Sequence, residues 1–251
     1  MAGAGDAGDA GTAGAAGDAG AAPDAEAGQH AFWPLFDLVV RTPRLVIRLP
    51  REEEFGELLA VIGAGIHHPD TMPFTTPFTD RPSPARERES AQWRWRQRAE
   101  WAAEKWNLTG AVFVDGEVVG VQDINAEHFA TLRSVHTGSW LGLAHQGQGL
   151  GKEMRQAILH LAFAGLGALE AHSGAFFDNE PSLATSRAVG YQPNGETLAP
   201  RRDTAARLIN VRIDRATWEE LRRDDIELVG LEGCLDMFIA APADPPLIAA
   251  G

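Results

Sequence analysis

The sequence has little of what marks several other classes of protein. Its only cysteine, Cys234, cannot form an intramolecular disulfide or a cysteine-based metal cluster. This residue lies in an apolar run and is predicted to be buried packing. Neither a signal peptide nor the roughly 18-residue apolar run of a membrane span is visible. These absences predict a cytoplasmic protein with no metal and no membrane partner.

Positive charge is also scarce. The chain has 22 Lys and Arg against 35 Asp and Glu, which gives a formal charge of −13. Five of the acidic residues lie within residues 1–30, where no Lys or Arg accompanies them. A nucleic-acid partner requires a basic surface, so we expect none. An acidic fold instead favours a cationic substrate.

The composition divides the chain into three parts. Residues 1–30 are almost wholly Ala, Gly and Asp and cannot bury enough apolar area to offset the entropy of ordering, so they are predicted to be a disordered tail. Residues 32–238 are predicted to form one globular domain. Residues 239–251, rich in Pro and Ala, are predicted to be a flexible C-terminal end.

Hydrophobic periodicity predicts that strands and helices alternate along the domain. The strongest local signal is Asp115-Gly116, a pair typical of a tight hairpin turn. This order predicts an α/β or α+β fold with a mixed sheet around one core. The predicted strands cover residues 44–48, 108–114, 117–124, 134–143, 168–177 and 206–213, and the predicted helices cover residues 52–62, 84–106, 153–163, 180–189 and 218–223.

A glycine-rich segment with the pattern Q-x-x-G-x-G lies between a predicted strand and a predicted helix. Glycines allow close approach and positive φ angles, so that successive N–H groups can converge on phosphate oxygens beside a helix N-terminus. A lysine in the segment adds positive charge. The segment therefore predicts an anion site. Its residues are Gln146, Gly147, Gln148, Gly149, Leu150, Gly151 and Lys152.

Other readings of this segment fit less well. A Walker loop requires Ser or Thr where Glu153 stands and glycine where Gln146 stands. A dinucleotide fingerprint requires a third glycine where Lys152 stands. A glycine-rich connector without a ligand would not need a strand on one side and a helix on the other.

The segment resembles the coenzyme A motif of the GNAT superfamily of N-acyltransferases. A second segment resembles that family's later motif, in which Asn179 opens a helix and Gly190-Tyr191 follows it. Thr-Pro-Arg-Leu at residues 42–45 and Gly-Ser-Trp-Leu at residues 138–141 are similar to the ribosomal-protein-acetyltransferase-like branch.

Within that branch, residues 33–37, 68–74 and 138–142 resemble an actinobacterial subgroup that includes a succinyl-CoA-dependent transferase. The resemblance spans residues 32–238. It implies a GNAT fold, with a mostly antiparallel central sheet that is splayed at the coenzyme site and flanked by helices.

The resemblance also implies roles for residues outside the glycine-rich segment. Backbone groups of Leu141, Gly142 and Leu143 are expected to bind the pantetheine arm and to face the thioester. The amide of Asn179 is expected to pair with the pantetheine and also to cap its helix, and Ser182 to bond the coenzyme or the backbone.

The family's usual general acid, a tyrosine, is replaced by Ser186. This serine is expected to hydrogen-bond to the thiol, directly or through water, or else to satisfy the helix backbone. Four residues on or between the strands that face the substrate are candidate bases, Asp123, Glu127, His128 and His136. Glu127 is the first choice because it ends its strand at the rim of the pocket, and a solvated edge residue is the alternative.

The resemblance implies transfer of an acyl group from an acyl-CoA to an amine acceptor. Acetyl-CoA is the expected donor, and the acceptor is a primary amine of a protein N-terminus, a lysine or a small molecule. Succinyl-CoA is the alternative donor, and its carboxylate would need a donor group from residues 67–81, His128 or Arg133. A non-catalytic acyl-CoA sensor and a homo-oligomer both stay open.

Overall fold

A computed structural model describes residues 30–239 of the chain. The predicted disordered tail and the predicted flexible end lie outside these residues, apart from His30 and Ile239. Within the described part, no helix combines the length and the apolar character needed to cross a membrane.

A nine-stranded sheet forms the centre of the described fold. The strands are β1 (Val39–Arg41), β2 (Val46–Arg48), β3 (Lys105–Val114), β4 (Glu117–Glu127), β5 (Ser134–Leu141), β6 (Glu170–Phe176), β7 (Gln192–Arg201), β8 (Thr204–Asp214) and β9 (Glu227–Val229). Their spatial order is β7-β8-β6-β5-β4-β3-β2-β1-β9. Every neighbouring pair is antiparallel except β5 and β6, which confirms the predicted mixed, mostly antiparallel sheet.

Helices flank the sheet on both faces. They are α1 (Phe55–Ala64), α2 (Ala85–Ala99), α3 (Phe129–Leu132), α4 (Leu150–His160), α5 (Glu180–Ala188) and α6 (Arg215–Leu221). Leu58 of α1 packs with Ala111 and Val121 on one face, whereas Met154 of α4 shares a core with Ile124 on the other. Because successive residues of a strand point to opposite faces, Asp123 lies on the α1 face with Val121.

The sheet opens between β5 and β6. These parallel strands pair only at residues 134–136 and 170–172. Beyond that point β5 stays paired with β4 up to Leu141, and β6 stays paired with β8 up to Phe176. The two strands therefore diverge and leave a wedge-shaped gap, which confirms the predicted splay.

The hairpin prediction is also confirmed. Asp115 and Gly116 have φ angles of 51° and 83°, and the register brings Val114 opposite Glu117. Two consecutive positive φ angles match the twist of the flanking strands.

Some elements were predicted wrongly or were missed. The tryptophan-rich helix ends at Ala99, and Trp106 belongs to β3, where it is buried against Phe238. Good helix formers continue through residues 102–105, so propensity alone does not mark this end. The prediction also misses the short elements β1, β9 and α3. It misses β7 as well, because this edge strand is largely exposed and lacks an apolar alternation.

Candidate active site

A cavity of about 1450 Å³ occupies the gap between β5 and β6. On the side of α4 and α5 its wall includes Gly149, Arg155 and Ser182, and on the side of α1 and α2 it includes Asp123 and Trp140. Sites for drug-sized ligands have volumes of roughly 300–1,000 Å³. The cavity therefore has room for a large ligand from one face of the sheet and a second molecule from the other.

The glycine-rich segment forms the turn that leads into α4. Gly147 and Gly149 have φ angles of 74° and 79°, in the left-handed region that glycine adopts most readily. Gly149 is the N-cap of α4, and no side chain caps this helix end. The first N–H groups of α4 thus have no intrahelical acceptor and can bind an anion.

Most of the predicted coenzyme-binding residues line this cavity, and four do not. Leu150 points into the core with 4% of its surface exposed, and the N–H of Leu143 donates to the Gly65 carbonyl at 3.0 Å. The predicted residues on the cavity wall are Leu141, Gln146, Gly147, Gly149, Gly151, Lys152, Asn179 and Ser182, and those away from it are Gly142, Leu143, Gln148 and Leu150.

The two glutamines brace the turn. Gln146 Nε2 donates to the carbonyls of Leu141 at 2.9 Å and Ile66 at 3.0 Å. Gln148 Nε2 donates to the Ala144 carbonyl at 3.0 Å. With both side-chain amides engaged, the backbone N–H groups and the nearby cations are the groups left to bind an anion.

A buried carboxylate holds the arginine that contacts the glycine-rich turn. Glu153, in the first turn of α4, is 4% exposed and accepts hydrogen bonds from Thr42 Oγ1 and Arg44 Nε, each at 2.6 Å. Burial raises the pKa of Glu153, but the bonds from Thr42 and Arg44 outweigh it and the pKa is lowered. Arg44 Nη1 also donates to the Gln148 carbonyl at 3.1 Å. The cation of Arg44 therefore stands beside the predicted anion site.

The start of α5 confirms one part of the prediction for Asn179. Its Oδ1 accepts the N–H of Ser182 at 3.4 Å, as an N-cap does. Tyr191 is 1% exposed, and its hydroxyl hydrogen-bonds to Thr137 at 2.8 Å, so this residue is part of the core.

Ser186 lies behind the cavity wall. It is 3% exposed; its Oγ donates to the Ser182 carbonyl at 3.0 Å and accepts from Arg155 Nη1 at 2.7 Å. Arg155 also donates to Ser139 Oγ at 3.0 Å and lines the cavity. A guanidinium therefore stands between the Ser186 hydroxyl and the cavity.

The structure does not bring Glu127 to the cavity wall. It ends β4 as expected, but its side chain is 61% exposed and pairs with Lys105. That pairing lowers the pKa of Glu127 and makes it a weaker base. Asp123, four residues earlier, does line the cavity. Burial raises the pKa of Asp123 to about 6, although Arg94 and Thr109 act to lower it.

Two histidines extend the polar wall beside Asp123. His136 and His172 stack with ring centroids 5.2 Å apart, and His172 Nε2 is hydrogen-bonded to Glu170 at 2.9 Å. Burial, together with the neighbouring His172, lowers the pKa of His136. A neutral imidazole can accept a proton, so His136 is a second basic group on this wall.

Sequence reasoning missed three arginines, Arg44, Arg94 and Arg155. Arg94 is 6% exposed, lines the cavity and donates from Nη1 to the Ser90 carbonyl at 3.2 Å, while its Nε has no partner. Arg155 precedes Ile158 by three residues and so borders the apolar face of α4. A cation at an apolar position of a helix is the signal that was available.

Comparison with known proteins agrees with this geometry. Residues 44–192 match the family model of the acetyltransferase (GNAT) domain. The fold is similar to that of RimJ from Mycobacterium smegmatis in complex with CoA-disulfide (20% identity, 80% of this chain and 95% of that chain, TM-score 0.63). It is also similar to RimL, a ribosomal alpha-N-protein acetyltransferase in complex with coenzyme A (16% identity, 70% and 97% covered, TM-score 0.55).

A third similar fold is that of a GCN5-related N-acetyltransferase from Brucella melitensis (16% identity, 73% and 81% covered, TM-score 0.59). These identities are low, so the structural likeness shows the fold alone. The family match covers more than half of the chain. The chain therefore belongs to the GNAT acetyltransferase family and is an acyl-CoA-dependent acetyltransferase.

Proposed function

We propose that the chain transfers an acetyl group from acetyl-CoA to a primary amine by direct attack of the amine on the thioester. The observation that carries this proposal is the cavity through the gap between β5 and β6, which joins the uncapped N-terminus of α4 to Asp123. A donor bound from the α4 side and an amine bound from the α2 side would meet in this gap.

The coenzyme is held by the cavity residues of the glycine-rich turn. The pyrophosphate lies against the backbone N–H groups at Gly149, Gly151 and Lys152, with the cations of Lys152 and Arg44 nearby. The pantetheine arm follows the free edge of β5 near Leu141, while Asn179 and Ser182 border it from the start of α5. Their presence on the cavity wall supports this placement.

Asp123 is the proposed base. An amine can attack the thioester only after it has lost its ammonium proton, and a carboxylate with a pKa near 6 is mostly ionised at neutral pH. Asp123 takes this proton directly or through a water molecule, with His136 as a second basic group. The positive charge of Arg94 partly offsets the rise that burial causes in the pKa of Asp123, and so helps to keep Asp123 ionised.

The acceptor is proposed to be the N-terminal amine of a protein or peptide. The cavity opens beside His67, Phe74, Phe78 and Trp93, an aromatic rim that offers apolar contacts to a peptide chain. The net negative charge of the protein favours a cationic amine. RimL, which has a similar fold, is a ribosomal alpha-N-protein acetyltransferase, and that substrate class supports this proposal.

A succinyl donor is the second candidate, and Arg94 is the observation that favours it. Its buried guanidinium lines the cavity with an unpartnered Nε and could bind a terminal carboxylate. Of the other groups predicted for this role, His67 and His68 of the loop line the cavity, whereas His128 and Arg133 do not.

Release of free thiol in the presence of an amine tests the proposal. Acetyl-CoA should release thiol with a peptide that has a free N-terminus and no lysine, and much less with the same peptide N-terminally blocked. Competition between acetyl-CoA and succinyl-CoA then ranks the donors. A tenfold preference for succinyl-CoA, worth about 1.4 kcal/mol, that disappears in Arg94→Met would favour the second candidate.

A further inference from the structure

A buried guanidinium on the cavity wall has no part in the reaction described above. Arg155 is 4% exposed and makes two side-chain hydrogen bonds, to Ser139 Oγ and to Ser186 Oγ. Its Nε has no hydrogen-bond partner. Among residues 30–239, no Asp or Glu forms an ion pair with it.

This arrangement is costly for the free protein. A buried cation without a counter-ion loses several kcal/mol of hydration free energy. The groups around Arg155 are neutral: two serine hydroxyls and the ring of Tyr191, 5.9 Å from the guanidinium carbon. Burial lowers the pKa of Arg155, but an arginine stays charged at neutral pH. Such departures from ordinary packing are expected at functional sites, where a ligand supplies the missing charge.

The position of Arg155 indicates which part of the donor it meets. It bridges the two sides of the gap, because Ser139 belongs to β5 and Ser186 to α5. Along α4 it lies about 8 Å beyond Leu150, where the pyrophosphate is proposed to bind. From there the cavity continues to Asp123. A coenzyme arm that runs from the N-terminus of α4 towards Asp123 passes this guanidinium.

We propose that Arg155 is a catalytic residue that stabilises the coenzyme thiolate as it leaves, an inference that rests on the proposed function. The amine nitrogen bonds to the carbonyl carbon and the carbonyl π electrons move to oxygen. When the carbonyl re-forms, the C–S bond breaks and its electron pair goes to sulfur. The amine protons lost in forming the amide pass to Asp123 and solvent, and the thiolate takes up a proton from solvent as coenzyme A leaves.

Ser186 is a positioning residue in this scheme. Its hydroxyl accepts Nη1 of Arg155 and donates to the Ser182 carbonyl, so the guanidinium is held by α5 as well as by Ser139. Arg155 lines the cavity, and charge-assisted hydrogen bonds from its guanidinium to sulfur would replace a proton donor. This accounts for a serine at the position of the family's tyrosine.

Titration of the thiol of bound coenzyme A tests this assignment. The ultraviolet absorbance of the thiolate should give a pKa lower than the value of about 8.5 for a free thiol, by about one to three units. Arg155→Met should return the pKa to about 8.5 or above, and Arg155→Lys should keep part of the shift. Arg155→Met is expected to fold, because replacing a buried charge by an apolar side chain is often neutral or stabilising.

A matched control is Arg215→Met. Arg215 donates to the carbonyls of Phe163 and Ala168 away from the cavity, so its loss should leave the thiol pKa unchanged. In turnover, Arg155→Met should lower kcat while the KM for acetyl-CoA stays close to the wild-type value, because the intact thioester carries no charge on sulfur.

An unchanged thiol pKa in a folded Arg155→Met variant that binds coenzyme A would overturn the assignment. Selective loss of activity with a carboxylate-bearing acyl-CoA, at unchanged thiol pKa, would show instead that Arg155 holds the acyl group. Failure of the wild type to release thiol with any amine would contradict the proposed function, and the titration of bound coenzyme A would still decide what Arg155 does.

Discussion

Asp123, Arg94 and Arg155 line the cavity; the two arginines are buried and Asp123 is half-buried. Arg94 interacts favourably with Asp123, whereas Arg155 is surrounded by neutral groups, the hydroxyls of Ser139 and Ser186 and the ring of Tyr191. In a site of low polarity each charge acts strongly on its neighbours. Single substitutions at these residues therefore test the chemistry of the site.

Asp123→Asn should slow acetyl transfer. General-base catalysis contributes roughly 10²- to 10⁴-fold, and loss of that order in kcat/KM is expected near neutral pH. In the wild type, kcat/KM should rise with pH through about 6, as Asp123 loses its proton. Measured pH profiles should show that rise abolished in the variant. Glu127→Gln is the matched comparison: if it abolishes activity and Asp123→Asn does not, Glu127 is the base.

Asp123 also makes stability depend on pH. Its pKa rises from 3.8 to about 6 on folding, so between these values the folded state holds more protons than the unfolded state. Stability contributed by this group is therefore lost as pH rises through the window. Between about pH 4 and pH 7 the wild type should lose on the order of 2 kcal/mol relative to Asp123→Asn. If denaturant unfolding gave the same difference in free energy of unfolding between the two proteins at pH 4 and at pH 7, this prediction would be wrong.

Gly149→Asp should abolish binding of acyl-CoA. A side chain at this left-handed N-cap would bring negative charge to the proposed pyrophosphate site. Gly167→Asp is a matched control, because Gly167 also has a positive φ, of 75°. A Cβ at Gly167 would lie 3.8 Å from Arg133 Nη1, much as a Cβ at Gly149 would lie 3.5 Å from Arg44 Nη2. Calorimetry should show loss of affinity in the first variant alone. Unchanged affinity in a folded Gly149→Asp would place the pyrophosphate elsewhere.

At the scale of elements, the first turn of α4 is tied to the β1–β2 connection through Glu153. Glu153→Gln should cost about 1–3 kcal/mol, because Thr42 and Arg44 lose a charged acceptor. It should also weaken acyl-CoA binding, since Arg44 contacts the glycine-rich turn. The pKa of Glu153 is lowered on folding, so its contribution is present above pH 4.5 and is lost as pH falls through the folded value.

Glu54→Gln provides the control for that variant. Glu54 pairs with Arg48 on β2. Burial raises the pKa of Glu54, but the hydrogen bonds from Arg48 and Arg51 outweigh it, so the pKa is lowered, as for Glu153. Its loss should reduce stability without changing affinity for acyl-CoA. Denaturant unfolding and calorimetry on both variants separate the two effects, and equal affinities would contradict the role given to Arg44.

The elements that the sequence predicts well carry local signals. The Asp115-Gly116 turn, the glycine-rich turn into α4 and the Asn179 cap are each decided by residues within one turn of chain. β7 carries no such signal, since its pairing with β8 depends on the sheet already being formed.

The site was harder to predict because its contacts are distant in sequence. Arg155 meets Ser186 only when α4 and α5 pack beside the gap. Glu127 and Asp123 lie on the same face of their strand. Their pKa values shift in opposite directions because Glu127 is exposed and pairs with Lys105, whereas Asp123 is covered by the elements that pack on the sheet. Burial and charge at these positions are properties of the assembled fold.

At the scale of the whole molecule, residues 1–29 are predicted to be dispensable. Their composition cannot build a core, and the described residues that line the cavity all come later in the chain. A variant that starts at His30 should keep the melting temperature and the rate of thiol release. A large fall in either would show that these residues contact the domain.

One cavity is proposed to bind acetyl-CoA and to pass its acetyl group to an amine. Native mass spectrometry tests it directly: the protein is mixed with acetyl-CoA, and a peptide with a free N-terminus is then added. The predicted result is a complex with acetyl-CoA that converts to a complex with coenzyme A while the peptide gains one acetyl group. A complex that persists unchanged with every amine, or no complex at all, would contradict the account.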